Sequence, residues 1–249
     1  MIETFTALII AATFLLAGSV KGVIGLGLPT VSLGLLAATL DLTTAMALLI
    51  MPSFITNIWQ AAVGGNAKII LKRIWPFLCF ATITIWFGST ALKMTKLSYL
   101  SVLLGALLLV YASLNLLGLR LSISPRSEKW AGPLLGTVNG IFTGMTGSFV
   151  VPGVMFLQAI GLPRDMLVQA MGMLFSLSTA GLAFALQKHN LLTSKLASIS
   201  AFAVIPSLIG MMLGQKIRKS ISEDKFKKIF FVSIFILGVY IIGKSGFAC

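Results

Sequence analysis

Lys21 stands beside a run of glycines in a long part of the chain that holds no other charge. The run reads Lys21-Gly22-Val23-Ile24-Gly25-Leu26-Gly27-Leu28-Pro29-Thr30. Glycine permits sharp turns, and proline suits the first turn of a new helix, so we expect one helix to end here and another to begin. A helix N-terminus presents free N–H groups and a positive dipole end, which together with an ammonium group suit an anion.

A second segment repeats the pattern of glycines followed by proline. It reads Asn139-Gly140-Ile141-Phe142-Thr143-Gly144-Met145-Thr146-Gly147-Ser148-Phe149-Val150-Val151-Pro152. Asn139 takes the place of Lys21, so the predicted site need not be symmetric. Irregular backbone at membrane depth is tolerated where it is buried in protein or lines a polar cavity, so two such breaks indicate a central site.

The candidate ligands for an anion lie at the two breaks and on the segments that follow them. They are Lys21, Gly22, Gly25, Gly27, Thr30, Asn57, Asn139, Thr143, Gly144, Thr146, Gly147, Ser148 and Gln158. The two more distant amides are included because an amide is costly to bury without a partner. Two alternatives stay open: the glycines could serve close helix packing, and the lysine could extend to the membrane surface.

The composition identifies the elements that must position these residues. Of 249 residues, 57% are hydrophobic and 10% are charged, with a net charge of +13. A soluble domain carries about 25% charged residues, so this chain is predicted to be an all-α polytopic membrane protein. A water-soluble enzyme, a secreted disulfide scaffold and a disordered chain are excluded. We assign the basic excess to loops that orient membrane helices and predict no nucleic-acid partner.

Charge-free runs mark the membrane segments. Six fit one spanning helix each, at residues 42–67, 74–92, 97–119, 166–187, 196–215 and 229–243. Two more, 4–40 and 130–163, are too long for one helix across a core of about 30 Å, and they contain the breaks. We therefore predict two repeats, 1–118 and 130–249, joined by a cytoplasmic linker at 119–129. Each repeat has one broken hairpin and three spanning helices, about eight transmembrane segments in all.

The loop charges favour hairpins over full crossings for the two broken stretches. With hairpins, 13 basic residues lie on one side of the membrane, 5 on the other, and Lys21 inside. With full crossings the split is 9 and 9. Because basic loops stay in the cytoplasm, we predict inverted repeats with the N-terminus outside and with hairpin tips that meet near the midplane.

Several kinds of chemistry find no support in the sequence. Cys79 and Cys249 are far apart, so we assign no disulfide, metal site or cofactor. There is no nucleophile motif, Walker sequence or acidic pair, so we predict that the protein is not an enzyme. Asp41 and Asp165 each open a long span and are predicted to cap it. Residues 1–20 are predicted to be retained rather than cleaved as a signal peptide.

The same motifs resemble the TauE/SafE family of bacterial membrane transporters, also called the sulfite exporter or TSUP family. The resemblance rests on the Lys21–Thr30 run, on Pro52 through Asn57-x-Trp59-Gln60, and on Gly140-x-x-x-Gly144-x-x-Gly147 leading to Pro152 and Leu157-Gln158-Ala159-x-Gly161-Leu162. It covers nearly the whole chain. Gly-Leu-Gly-Leu-Pro replaces the Gly-Gly-Gly-like run of many members, so the chain resembles a sub-branch.

The resemblance implies transport of small anions of sulfur metabolism, such as sulfite or an organosulfonate like sulfoacetate. The expected function is secondary transport by alternating access across the bacterial inner membrane, most simply export, since an inside-negative potential drives anions outward. An anion channel, and an uptake carrier for another small organic anion coupled to Na⁺ or H⁺, are the alternatives. The expected partners are the anion and the lipid bilayer, and the sequence predicts no oligomeric state.

Overall fold

The computed structural model of the protein describes residues 4–119, 121–218, 220 and 222–246. These residues form thirteen α-helices and no strand. The helices are α1 (Thr4–Ile24), α2 (Leu28–Thr39), α3 (Leu42–Leu48), α4 (Ile50–Ala62), α5 (Ala67–Ile83), α6 (Ile85–Met94), α7 (Leu97–Leu116), α8 (Glu128–Thr146), α9 (Gly153–Ala159), α10 (Arg164–Lys188), α11 (Ser194–Phe202), α12 (Val204–Ile217) and α13 (Glu223–Gly246).

The described helices are long and apolar enough to make a polytopic membrane protein, which confirms that predicted class. Six candidate spans are α1, α5 with α6, α7, α10, α11 with α12, and α13, and the pair α3 and α4, bent by 44°, would make a seventh. The six full spans expected from the charge-free runs all correspond to segments of this set. The remaining one is α1, which at 21 residues is long enough to cross by itself.

The surface carries many large apolar side chains, and several polar side chains are buried within a mainly apolar core. Trp59 and Phe202 are 67% and 73% exposed, whereas Asn57 and Asn139 have no exposed surface. Such a large apolar surface suits contact with lipid. The apolar surface follows from the low charge content, and the two amides are buried inside the protein.

Both helix breaks occur at the predicted glycines and prolines. Gly25 and Gly27 have φ values of 77° and 106°, and α2 begins one residue before Pro29. Gly147, with a φ of 75°, ends α8, and α9 begins directly after Pro152. Positive φ is readily adopted by glycine alone, so the chain stops each helix where the sequence supplies this residue. The predicted breaks are confirmed.

The second broken stretch returns to the side from which it starts. Arg73 Nη2 donates to Glu128 Oε1 at 2.6 Å and to the Ile160 carbonyl oxygen at 2.7 Å. The Ile123 N–H, before α8, donates to the carbonyl oxygen of Ala159, the last residue of α9, at 2.9 Å. The beginning of α8 and the end of α9 therefore lie together.

The first broken stretch also turns back. The end of α1 packs against the end of α12, where Gly22 faces Met211 and Gly214. In contrast, α2 runs along α13 from its beginning to its end. Gly27 faces Phe230, and Lys244 Nζ donates to the Ala38 carbonyl oxygen at 2.7 Å. Since α12 leads into the turn before α13 and α13 leads away from it, α1 and α2 run in opposite directions.

Glycines bring the first arm of each hairpin into backbone contact with a helix of the other half. A methyl group on Gly22 or Gly210 would overlap the carbonyl oxygen of Met211 or Leu15 across the α1–α12 contact. A methyl group on Gly144 would likewise overlap the Ile85 carbonyl oxygen, where α8 packs on α5 and α6. Such small-residue contacts hold membrane helices together at short range.

The two halves of the chain are interlocked rather than side by side. Helix α1 packs on α12, and helix α8 packs on α5 and α6. The remaining large contacts, α4 with α10 and α7 with α13, also join the two halves. A close contact between an early and a late helix therefore occurs both for α1 with α12 and for α8 with α5 and α6.

The predicted helix cap at Asp41 is confirmed, and the one at Asp165 is wrong. The Asp41 carboxylate accepts hydrogen bonds from the Thr44 N–H at 2.9 Å and from the Thr43 hydroxyl at 2.6 Å. Asp165 lies inside the first turn of α10, whose N-cap residue is Pro163. A negative charge there still complements the helix dipole.

Candidate functional site

Lys21 lies in the last turn of α1 and is buried in the protein, with 5% of its surface exposed. Its ammonium group donates to the Thr56 hydroxyl at 3.1 Å and to the Asn57 side-chain oxygen. Both partners belong to α4, a helix separated from Lys21 by more than 30 residues of sequence. The lysine therefore points into the bundle, and the alternative in which it extends to the membrane surface does not hold.

One face of α4 carries the polar groups of the site. Pro52, Ser53, Thr56 and Asn57 are buried, which places positions one helical turn apart on the same side. The opposite side holds exposed apolar residues, such as Trp59. This helix is amphipathic with its polar face inward, as expected where a membrane helix lines a polar site.

Lys21 has no carboxylate partner among the residues that the structure describes. Within those residues the ion pair is Arg73 with Glu128, at 2.6 Å. Lys21 is also the one buried lysine or arginine of the described chain. Buried charges are normally paired, because burying an unpaired ion is costly. The two neutral oxygens on α4 solvate this ammonium group without neutralising it.

Several buried polar side-chain atoms of the described chain lack a protein partner. Within the described chain, the unpartnered atoms on α4, α8 and α10 are Ser53 Oγ, Asn57 Nδ2, Asn139 Nδ2 and Ser178 Oγ. The two amide nitrogens can only donate, and an ammonium group has three N–H donors, of which Lys21 uses two. Beside Lys21, the side-chain nitrogen of Asn57 is therefore an unused hydrogen-bond donor, which suits an anion.

Asn139 stabilises the second break through its side-chain oxygen. Its side-chain oxygen accepts from the Gly153 N–H at 2.8 Å, at the beginning of α9. The break also uses two predicted hydroxyls locally. Thr143 donates to the Ser148 carbonyl oxygen at 3.0 Å, and the Ser148 N–H donates to the Thr146 hydroxyl at 3.2 Å. These hydrogen bonds fix the backbone of the break. The side-chain nitrogen of Asn139 has no hydrogen-bond partner in the described chain.

The glycines of the candidate set have different neighbours. Gly22 and Gly144 occupy the helix contacts described above, as the packing alternative predicts. Gly25 faces Val168 of α10, and Gly27 faces Val20 and Phe230. Around Gly147 the nearest side chains are Met46 and Leu33. The glycines of the two tips therefore face different elements, and we find no direct contact between them on which a shared site could rest.

Two other predicted residues complete the set. Thr30 is buried in the first turn of α2, 4% exposed. Gln158 is exposed near the end of α9 and lines a surface groove with Lys227 and Lys228. The structure does not bring Gln158 to Lys21, because α9 is only seven residues long and Gln158 is exposed near its end.

Three other residues were not among the predicted site residues: Thr56, Ser53 and Ser178. Thr56 accepts a hydrogen bond from Lys21, and the hydroxyl oxygens of the two serines are buried without a hydrogen-bond partner in the described chain. The signal for Thr56 was its place beside Asn57 on one buried face of α4. The neighbouring amides tie α4 to α10. Gln60 donates to the Val168 carbonyl oxygen at 2.7 Å, and Gln169 donates to the Ala61 carbonyl oxygen at 2.8 Å.

Comparison with known proteins identifies one family. A family model described as "Sulfite exporter TauE/SafE" matches residues 10–241 of the chain. No curated protein and no solved structure matches it. The matched range contains both breaks, Lys21, and the polar face of α4.

Proposed function

Because the chain belongs to the sulfite exporter TauE/SafE family, we propose that it is a secondary transporter that exports a small anion across the bacterial inner membrane. The anion is sulfite or an organosulfonate such as sulfoacetate. Alternating access moves it between the cytoplasm and the outside. An inside-negative potential favours anion exit by about 2.3 kcal/mol per charge per 100 mV, so export requires no coupling ion.

The observation that carries this proposal is the buried ammonium group of Lys21, which has neutral partners in the described structure. A charge inside a membrane protein costs at least about 2.5–3.5 kcal/mol and is usually functional. A bound anion supplies the missing opposite charge. It also accepts hydrogen bonds from the unpartnered nitrogen of Asn57.

The single buried cation favours a compact anion within the proposed substrate class. Sulfoacetate carries a sulfonate and a carboxylate, which would need two positive partners at separate positions. The described interior offers Lys21 alone. We therefore expect sulfite to be transported better than sulfoacetate.

The proposed topology has inverted repeats, with α1 and α2 forming an outer hairpin and α8 and α9 a cytoplasmic one. The charge split of 13 against 5 supports this orientation. The joint contact of Arg73 with Glu128 and Ile160 supports the hairpin, and the repeated helix pairing supports the internal symmetry.

The helix pairing suggests which parts move in alternating access. Backbone contact at Gly22 and Gly210 ties α1 to α12, so the hairpin of one half travels with α11 and α12 of the other. Lys21 lies on this moving unit, and its partners Thr56 and Asn57 lie on α4. Substrate bound to Lys21 then sits at the boundary between the moving unit and the α4–α10 pair.

Sulfite counterflow in proteoliposomes tests the proposal. We expect Lys21→Met to lower the rate at least tenfold, since a hydrogen bond to a charged group contributes about 1.5–3 kcal/mol. The matched control is Lys244→Met, which removes a lysine bound to the Ala38 carbonyl oxygen instead. It should keep counterflow within about twofold.

Three results would contradict the proposal. Counterflow that is unchanged in Lys21→Met would show that the lysine does not bind the transported anion. Sulfite flux without counterflow would identify a channel. Sulfoacetate counterflow faster than that of sulfite would overturn the substrate preference.

A further inference from the structure

A groove of about 820 Å³ lies where the end of α7, the end of α9 and the beginnings of α10 and α13 come together. It is far along the chain from Lys21 and is not lined by Lys21, Thr56 or Asn57. Residues of the linker between α7 and α8 form one wall. This groove is separate from the proposed anion site.

One wall of the groove is basic. Asp224, Lys227, Lys228 and Phe231 line it at spacings of three and four residues, which places them on one face of α13. The charged side chains that line this wall are two lysines and one aspartate. They belong to the segment 216–228, which contains six basic residues.

The other walls contain several apolar side chains. Leu119 and Leu121 of the linker line the groove and are 57% and 56% exposed, and Leu167 and Met155 line it further in. The exposed leucines favour contact with an apolar group rather than with water, and the lysines beside them favour an anion. They match a ligand that is anionic at one end and apolar at the other.

We propose that this groove binds an anionic phospholipid, with its phosphate against Lys227 and Lys228 and its upper acyl chains along the leucines. The segment 216–228 lies on the cytoplasmic side in the topology proposed above, where anionic lipids attract basic residues. Gln158 and Asn115 also line the groove and supply polar groups for the glycerol and ester region. The proposal depends on that orientation and not on the transported substrate.

A small free anion fits this surface less well. A hydrophilic anion gains nothing from exposed leucines, and the proposed substrate site is elsewhere. The phosphate group and the apolar chains must therefore both contribute to binding, and this distinguishes a lipid from free phosphate.

The test is a titration of the purified full-length protein in uncharged detergent with phosphatidylglycerol, followed by native mass spectrometry. The variant is Lys227→Gln with Lys228→Gln. Its matched control is Lys216→Gln with Lys225→Gln, which removes two lysines of the same segment that do not line the groove. A lysine near an anionic lipid surface contributes about a fivefold factor, so we expect the groove variant to weaken the tightest lipid by on the order of tenfold or more.

The remaining arms use phosphatidylcholine and soluble glycerol phosphate. We expect phosphatidylcholine to bind at least fivefold more weakly than phosphatidylglycerol, and glycerol phosphate not to displace the bound lipid. Equal weakening in the groove and control variants, or none in either, would overturn the proposal. So would displacement by glycerol phosphate, which would identify a free-phosphate site. An unchanged melting temperature in lipid-free detergent shows that both variants are folded, and sulfite counterflow is measured separately.

Discussion

Lys21 and Asn57 form the contact on which the proposed transport site depends. The Asn57 side-chain oxygen accepts from the lysine, and its nitrogen stays without a protein partner. This arrangement leaves the positive charge in place for a substrate. A carboxylate at the same position would neutralise the lysine permanently.

Asn57→Asp tests this requirement directly. We expect the substitution to lower sulfite counterflow at least tenfold, because an internal ion pair competes with the anion for Lys21. The melting temperature should not fall. The matched control, Asn190→Asp, introduces the same charge at an exposed position in the turn after α10, outside both proposed sites, and its transport should stay near that of the wild type.

A different outcome would require another role for the lysine. If Asn57→Asp transports sulfite at the wild-type rate, Lys21 does not provide the positive charge that holds the anion. Loss of folding in Asn57→Asp but not in Asn190→Asp would show instead that Lys21 does not stabilise a carboxylate at this position.

The sequence identified some residues of the candidate site and missed or misplaced others, and the reason differs from residue to residue. Lys21 was found because a charge between apolar runs is visible in the sequence. Its partner Thr56 was not distinguished from other helical hydroxyls, which commonly bond their own backbone, as Thr56 also does to the Pro52 carbonyl oxygen at 2.8 Å. Gln158 was expected at the site, and the short length of α9 places it at the surface.

Helix α1 depends on glycine where it meets α12. We expect Gly210→Ala to destabilise the protein by about 1–3 kcal/mol, since the added methyl group overlaps the Leu15 carbonyl oxygen and forces the helices apart. Gly243→Ala is the matched control, because no atom lies within 4 Å of the added group. It should leave stability unchanged or raise it through better helix propensity.

Thermal unfolding in detergent measures both variants. Equal melting temperatures for Gly210→Ala and Gly243→Ala would contradict backbone contact between α1 and α12. The same result would also remove the reason for treating these two helices as one moving unit.

The beginning of α3 depends on the carboxylate of Asp41. Burial alone raises the pKa of this carboxyl, but hydrogen bonds from the side chains and backbone of Thr43 and Thr44 outweigh it and lower the pKa below its usual value. A lowered folded-state pKa stabilises the protein above the unfolded value of about 3.9. That contribution is lost as the pH falls through the lower folded-state pKa.

Two substitutions separate the cap from the charge. We expect Asp41→Ala to cost about 1 kcal/mol at pH 7, and Asp41→Asn, which keeps a capping oxygen, to cost less. The advantage of the wild type over Asp41→Asn should shrink when the pH is lowered from 7 to below 4. A pH-independent difference in melting temperature would contradict the lowered pKa.

The arrangement of the whole chain in the membrane is tested by cysteine labelling. In a background in which Cys79 and Cys249 are replaced by serine, a single cysteine is placed at Asn190 or at Ser222. We expect an impermeant maleimide added outside intact cells to label position 190, and to label position 222 only after permeabilisation. Basic loops are retained in the cytoplasm, which is the reason for this expectation. Labelling of both positions from the same side would reject the inverted topology.

Composition and local pattern were enough to predict that the protein is an all-α membrane protein and where its helices break. Charge content sets whether a segment can enter lipid, and glycine and proline act on the backbone at their own positions. The contact between Lys21 and Asn57 joins positions 36 residues apart. The packing of α1 on α12, and of α8 on α5 and α6, joins still more distant positions. Such contacts depend on how whole helices pack, and many packings share one hydrophobic pattern. The tertiary structure was therefore needed to show that Lys21 faces two neutral oxygens and that Gln158 lies at the surface.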